Sequence, residues 1–470
     1  MSPWQIPGVA VGVVVGEDVL LARGFGKRQV GAPEAVDADT VFQIGSTTKA
    51  FAATTEAMLV DAGKLGWMDR VIDHDPDFRM FDPWVTQEFR IIDLLSQRSG
   101  LRPYSLDSLW FLGYSAEEIV TALRHIAPVS SFRAQFGYQN ITHQVAGRIV
   151  ARLAGVPRWQ DAVAKLIFEP LGMSSTSTSA EALLAAPNRA TGHLLFADKL
   201  TPVPPIPELP YTPGPAGGMN SSVNDMTKWL RLQIGRGTFA GTRLLGAHAL
   251  EATWKPQVNL DPKDGFPSVW QGYASGWIVR QTAGGVAIWH NGGTLTFKTH
   301  VGFVPALGVG LVVLTNEGSN EIADATGLWF YDRLLDNAPV DYGAEILTHT
   351  QEALAKAAVE GRRPAAPQSP GPDHDYTGAY HSDVAGDAEV AATGGEPLNL
   401  TFKRPGTRFG LRPWNGDVFV LTARTNPALA QNLEAGAPQL VQFLRTAQGR
   451  VERVRLGEGG EIELARAANG

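Results

Sequence analysis

Ser46 and Lys49 stand three residues apart in Ile44-Gly45-Ser46-Thr47-Thr48-Lys49, and Ser46 is the only serine in the chain with a lysine at that spacing. The segment ends a β-like run over residues 40–44 and opens an alanine-rich helical stretch over 50–62. With the helix beginning at Ser46, Lys49 falls one turn further on the same face, so hydroxyl and amine can meet. A serine hydroxyl attacks carbonyls poorly without an adjacent base, and the N–H groups of a helix N-terminus favour developing negative charge. Position and residue type therefore suit a nucleophile. A serine that merely caps a helix occupies the same place, so residues further along the chain must decide.

Two later segments bear on that choice. Tyr138 and Asn140 precede a helical stretch and are two residues apart, so in an extended connection both side chains point the same way. Beside a Ser–Lys pair, a tyrosine hydroxyl can act as base or proton shuttle, and an asparagine can hydrogen-bond a substrate amide. Taken alone, they read as a buried tyrosine and an N-cap. His290-Asn291-Gly292-Gly293 ends another β-like run. Glycines there let a substrate backbone approach closely, and the N–H of Gly293 could join that of Ser46 as an oxyanion hole. His290, neutral or charged near neutrality, could pass a proton or bind a carboxylate.

The elements that must position these residues follow from the pattern. Residues 9–15 and 19–24 read as a β-hairpin. Amphipathic helices are expected over 115–126 and 140–154, with further helices over 90–97, 159–168 and 223–234. Residues 201–215 hold seven prolines and are expected to form a stiff, extended loop that rims a site. Residues 273–280, 286–290, 298–304 and 309–315 read as strands that join the opening hairpin in one antiparallel sheet, with a helix over 325–335 packing back on it. Strands, then helices, then strands argue for an α+β sandwich carrying a helical subdomain. A helix over 342–360 and the proline-rich run 362–372 form a linker. Alternating residues from 376 to 467 predict an all-β antiparallel barrel or sandwich. The resulting division is 1–341, 342–372 and 373–470.

Composition narrows the function. The chain has 470 residues, 44% of them hydrophobic and 19% charged, which fits a folded globular protein, and its net charge of -7 gives no support for nucleic-acid binding. There is no cysteine, so disulfides, thiolate nucleophiles and cysteine-ligated zinc are excluded. The longest apolar runs fall far short of the roughly 18 residues that span a bilayer. No signal peptide is visible, so the expected location is cytoplasmic by default, or periplasmic or secreted if the N-terminus has been trimmed. Gly-x-Ser-x-Gly and His-Glu-x-x-His are both missing from the sequence, which argues against an α/β-hydrolase and a metalloprotease. No metal or cofactor is expected.

Taken in order and at these separations, Ser46-x-x-Lys49, Tyr138-x-Asn140 and His290-x-Gly292 resemble the three motifs of the penicillin-recognising serine hydrolases. The resemblance is to their class C β-lactamase-like branch, which includes D-aminopeptidases, D-amino acid amidases, low-molecular-weight penicillin-binding proteins and carboxylesterases. Residues 94–101 and Pro215-Ala216-Gly217-Gly218-Met219 are similar to further segments of that branch, and the tail from Tyr376 resembles the lipocalin-like barrel of some peptidase members. The resemblance covers about residues 6 to 336 and implies a β-lactamase-like sandwich. It implies an acyl-enzyme on Ser46, with Lys49 and Tyr138 moving the proton and the Ser46 and Gly293 amides holding the oxyanion. Either Lys49 or Tyr138 could be the base. His290 stands where β-lactamases of this branch usually carry lysine, which leans the expectation toward peptidase, amidase or esterase use on a small-molecule or peptide substrate. Carboxylesterase or weak β-lactamase action on the same site is the alternative, and a silent ligand-binding protein is the rival of another class. The family's first helix would precede Ile6, so the native start is expected upstream, and the C-terminal domain is expected to cap the cleft or mediate homo-oligomers.

Overall fold

The computed structural model describes residues 4–261, 270–392, 398–457 and 461–467. An eight-stranded antiparallel sheet runs through the first part: β1 (Gly8–Val15), β2 (Asp18–Gly26), β3 (Val258–Leu260), β4 (Trp270–Tyr273), β5 (Ile278–Gln281), β6 (Val286–Gly293), β7 (Lys298–Val304) and β8 (Val309–Thr315), in spatial order β2-β1-β8-β7-β6-β5-β4-β3. The opening hairpin thus lies beside the last strand, Val9 opposite Thr315. Both faces are covered. On one, Gly12 of β1 leaves no room for a Cβ, which would stand 2.8 Å from Val223 and Thr227 of α3 (Val223–Ile234). On the other, Val9, Leu311 and Val313 pack against Ala323 of α4 (Ile322–Leu334).

Between sheet and helical region runs α1 (Thr48–Asp61), buried nearly all round. A helix without a polar face has no place at a surface, and here Phe51 stacks on Trp229 of α3 with ring centroids 3.8 Å apart. A second long helix, α2 (Ile141–Ala154), packs against α1 with its buried face of Ile141, Val145, Ile149 and Val150.

After α5 (Tyr342–Glu360) the chain closes an eight-stranded antiparallel barrel: β9 (Gly378–Ser382), β10 (Gly386–Ala391), β11 (Asn399–Phe402), β12 (Arg408–Asn415), β13 (Val418–Ala423), β14 (Leu440–Arg445), β15 (Val451–Leu456) and β16 (Ile462–Arg466). Closure leaves no free strand edge, and Phe402, Phe409, Phe419 and Phe443 fill the interior. The expected α+β sandwich followed by a barrel is the observed architecture.

Three local expectations are corrected. Residues 273–280 form two strands, not one, because Gly276 turns the chain at φ +70°. The run 201–215 is not extended throughout: Lys199–Val203 pairs with Gly192–Phe196 as a hairpin, and Gly214–Gly217 is a helical turn, leaving only the middle as loop. The barrel also holds a helix that alternation hides, α6 (Pro427–Ala435), started by proline in its first turn and by Asn426 accepting from the N–H of Leu429 at 3.0 Å.

Candidate active site

Ser46 lies in a tight turn, Gly45–Thr47, that leads directly into α1. The turn is closed by the Thr47 and Thr48 hydroxyls, which donate to the carbonyls of Ile44 and Gly45. Ser46 itself caps nothing. Its Oγ lies 3.0 Å from Nζ of Lys49, one turn on, as the spacing predicted.

Lys49 has no exposed surface. Besides Ser46, its Nζ reaches Oδ1 of Asn140 at 2.6 Å and the carbonyl of Ala216 at 2.7 Å, and it stands 4.6 Å from the centre of the Tyr138 ring. Burial in low dielectric penalises the ammonium and brings the Lys49 pKa down to about 7, against a smaller upward pull from Asp107. The amine is therefore half-deprotonated near neutrality, able to take a proton from the hydroxyl beside it.

Asn140 does not cap α2 with its side chain. Its Oδ1 accepts from Lys49 while its Nδ2 donates to Oδ2 of Asp107 at 2.7 Å. Asp107 is a site residue that sequence reading missed; a lone aspartate at the start of a short helix carries no motif. The Ala216 carbonyl was equally hidden, since a backbone acceptor has no residue-type signature.

The Tyr138 hydroxyl lies within electrostatic reach of Ser46, which partly offsets the upward push of burial on the phenol. Its ring is packed between Tyr104, at 5.2 Å, and Phe136 and Tyr273, at 6.4 and 6.5 Å. Burial holds the phenol well above its ordinary pKa, which suits a proton shuttle that spends its time neutral. Gln97 and Tyr104 strap this stretch in place: Gly137 N–H donates to the Gln97 carbonyl and Tyr104 N–H to the Tyr138 carbonyl, both at 2.8 Å.

Strand β6 brings the third segment alongside. A Cβ on Gly292 would stand 2.1 Å from the carbonyl oxygen of Ile44, and one on Gly45, whose φ is +52°, would stand 2.8 Å from the nitrogen of Gly293. Only glycine at both positions lets the two backbones abut, and so the Gly293 amide lies against the Gly45–Ser46 turn. Thr299 on β7 ties the contact by donating to the Ile44 carbonyl at 2.8 Å.

His290 is buried, with Nε2 2.9 Å from the Tyr273 hydroxyl and Nδ1 2.5 Å from the Asn291 carbonyl. Burial, then the nearby Lys49, lower its pKa to about 3. Of the two states open at the sequence level, the imidazole takes the neutral one. The Asn291 side chain turns away to α4, donating to Asp324 at 2.7 Å.

Ser46 sits where two cavities meet. One is a cleft of about 2020 Å³ bordered by Tyr138, His290, Lys298 and Glu321; the other is a cavity of about 200 Å³ bordered largely by apolar side chains. Among the described residues no cluster of His, Asp and Glu is arranged to hold a metal ion, and no helix is long and apolar enough to cross a membrane.

A profile of the family described as Beta-lactamase matches residues 2–336, and one described as a domain of unknown function, DUF3471, matches residues 362–466. Penicillin-binding protein 4 of Amycolatopsis lactamdurans is 32% identical over 322 residues, 67% of this chain and 82% of that protein. The unguisins hydrolase ungD' of Aspergillus campestris is 30% identical over 358 residues, 72% of this chain; the match spans only 64% of that relative's length. The octameric penicillin-binding protein homologue of Pyrococcus abyssi superposes with a TM-score of 0.65 at 20% identity, covering 99% of this chain and 97% of that one.

Proposed function

From a chain that belongs to the Beta-lactamase family, a family of serine hydrolases, we propose an amidase that acts on peptides or amino acid amides through an acyl-enzyme on Ser46. The observation that carries this reading is the 3.0 Å contact between Ser46 and a buried Lys49 whose pKa is brought to about 7. In the proposed reaction Lys49, in its neutral form, takes the Ser46 proton as Oγ attacks the carbonyl. The Ser46 and Gly293 amides receive the oxyanion, and Tyr138 relays the proton from Lys49 to the leaving amine as the C–N bond breaks. Water then cleaves the serine ester along the reverse proton path.

The neutral His290 favours amides over β-lactams. A penicillin carries a carboxylate that a cation would hold; His290 supplies none, and the neighbouring Lys298 is already paired with Glu321 at 2.5 Å. The relative named for hydrolysis of unguisins supports hydrolase use of this fold. We further propose that the chain self-associates, in keeping with the octamer named for the Pyrococcus homologue; light scattering on the full chain checks this, and a strictly monomeric mass rejects it.

A panel of D- and L-amino acid amides, p-nitrophenyl esters and nitrocefin, each run against wild type and Ser46→Ala, tests the reaction. Amide turnover and a fluorophosphonate adduct, both lost in Ser46→Ala, are expected. Turnover of nitrocefin alone rejects the amidase reading, and activity that survives Ser46→Ala rejects the nucleophile.

A further inference from the structure

The cavity of about 200 Å³ beside Ser46 is bordered by Trp110, Phe111, Pro204, Ile206 and Leu209, and by one residue from beyond the linker, Asn432 of α6. The barrel braces both walls. Asn432 Nδ2 donates to the carbonyl of Pro204 at 3.0 Å and Asn426 Nδ2 to Glu208 at 2.9 Å, which ties down the proline-rich wall. On the aromatic wall, Glu461 accepts from Ser108 Oγ at 2.6 Å and from the Leu106 N–H, and the Tyr114 hydroxyl donates to the carbonyl of Ala385. A prolyl wall has few rotatable bonds, and hydrogen bonds at its edge make it stiffer.

The two cavities meeting at Ser46 are chemically unlike. Tyr138 borders the large cleft, and a leaving amine must lie within reach of the group that protonates it. The leaving group therefore takes the large cleft, and the acyl portion projects into the small apolar cavity. An apolar cavity of about 150 Å³ accommodates a benzene-sized group, so this pocket, polar near Ser46 where Asp107 and Asn140 border it and apolar along Trp110, Ile206 and Leu209, has room for a single aromatic or medium aliphatic side chain.

We infer that the barrel completes the acyl pocket: α6, through Asn432, holds the proline-rich wall in place and thereby selects substrates whose acyl group carries one bulky apolar side chain. The inference rests on the acyl-enzyme reading above. In the step it concerns, the Ser46 Oγ–acyl bond forms, the bond from acyl carbon to the leaving group breaks, and the departing group keeps that electron pair and takes the proton that left Ser46.

The full-length protein is assayed with p-nitrophenyl acetate and p-nitrophenyl hexanoate, and Ser46 labelling by a fluorophosphonate is followed separately by intact mass. Wild type is expected to prefer hexanoate by about 10- to 100-fold in kcat/KM, the range that a filled apolar pocket supplies. Leu209→Trp, which fills the pocket, and Asn432→Ala, which frees its wall, are each expected to shrink that ratio about 10-fold, Asn432→Ala mainly through KM for hexanoate. Normal labelling of Ser46 with a flat wild-type ratio overturns the pocket and leaves the hydrolase reading standing. A high ratio that Asn432→Ala leaves unaltered overturns it too, whatever Leu209→Trp does, since selection then owes nothing to the barrel. Failure to label Ser46 removes the hydrolase reading itself.

Discussion

In the proposed reaction Lys49 is the residue on which the chemistry turns, because its burial trades charge stability for reactivity. With its pKa lowered from 10.5 to about 7, the neutral amine is populated above that value and lost below it. If Lys49 is the base, kcat/KM therefore rises with pH through an apparent pKa near 7. His290, already neutral above about 3, adds no limb of its own between pH 4 and 9. A pH–rate profile from 5 to 9 checks this; activity that is flat across the range assigns the base elsewhere. Asp107 pulls the Lys49 pKa upward, so Asp107→Asn is expected to shift that limb to lower pH.

At the scale of elements, two features of the segment around α1 make specific demands. The first is its approach to β6. In Gly292→Ala the new methyl would meet the Ile44 carbonyl, and displacing the Ser46 turn by about 1 Å is expected to slow acylation by up to ~100-fold. The rate of fluorophosphonate labelling reads this directly, and an unchanged rate contradicts the abutment of the two backbones. The second is Glu56, buried two turns beyond Lys49, whose two carboxyl oxygens have no hydrogen-bond partner among the described residues. Burial raises its pKa well above 4.5, so the native state holds a proton that the unfolded chain releases, and stability falls as pH rises above about 4.5. Glu56→Gln is expected to remove that part of the decline, seen as a flatter dependence of melting temperature on pH between 5 and 8. An identical slope in both proteins means that Glu56 is not the group responsible.

At the scale of the whole molecule, barrel and sandwich are joined across the two walls of the apolar cavity. Glu461 is the clearest link, a carboxylate that accepts from both Ser108 and the Leu106 backbone. Hydrogen bonds to charged groups contribute about 1.5–3 kcal/mol, so Glu461→Ala is expected to lower stability by roughly that amount. Denaturant titration would show an earlier midpoint or a barrel transition that separates from the rest; a superimposable curve shows that the contact is energetically silent. The linker residues do not hang free between the two parts. Arg363 donates to the Trp414 carbonyl at 2.8 Å and Gly416 N–H to the Gln368 carbonyl at 2.9 Å, so the connection is laid along the barrel wall.

Much of this was legible from residue order because local physics governs it. A serine and a lysine three apart where a turn runs into a helix are neighbours, sustained alternation favours strands, and Gly292 and Gly293 at a strand end mark a close approach of backbones. Helix α6 escaped because its capping pair Asn426-Pro427 lies inside an alternating region, and the split at Gly276 escaped because one positive-φ glycine interrupts an otherwise continuous apolar run. What the chain alone determined was the set of reactive groups and the elements that carry them. Only the tertiary structure decided their state and company: that Lys49 is dehydrated enough to lose its proton near neutrality, that His290 is neutral, that Asp107 and the Ala216 carbonyl join the site, and that Asn432 from the barrel borders the cavity beside Ser46. Desolvation and contacts between segments distant in the sequence depend on what packs around a group, and no local pattern records them.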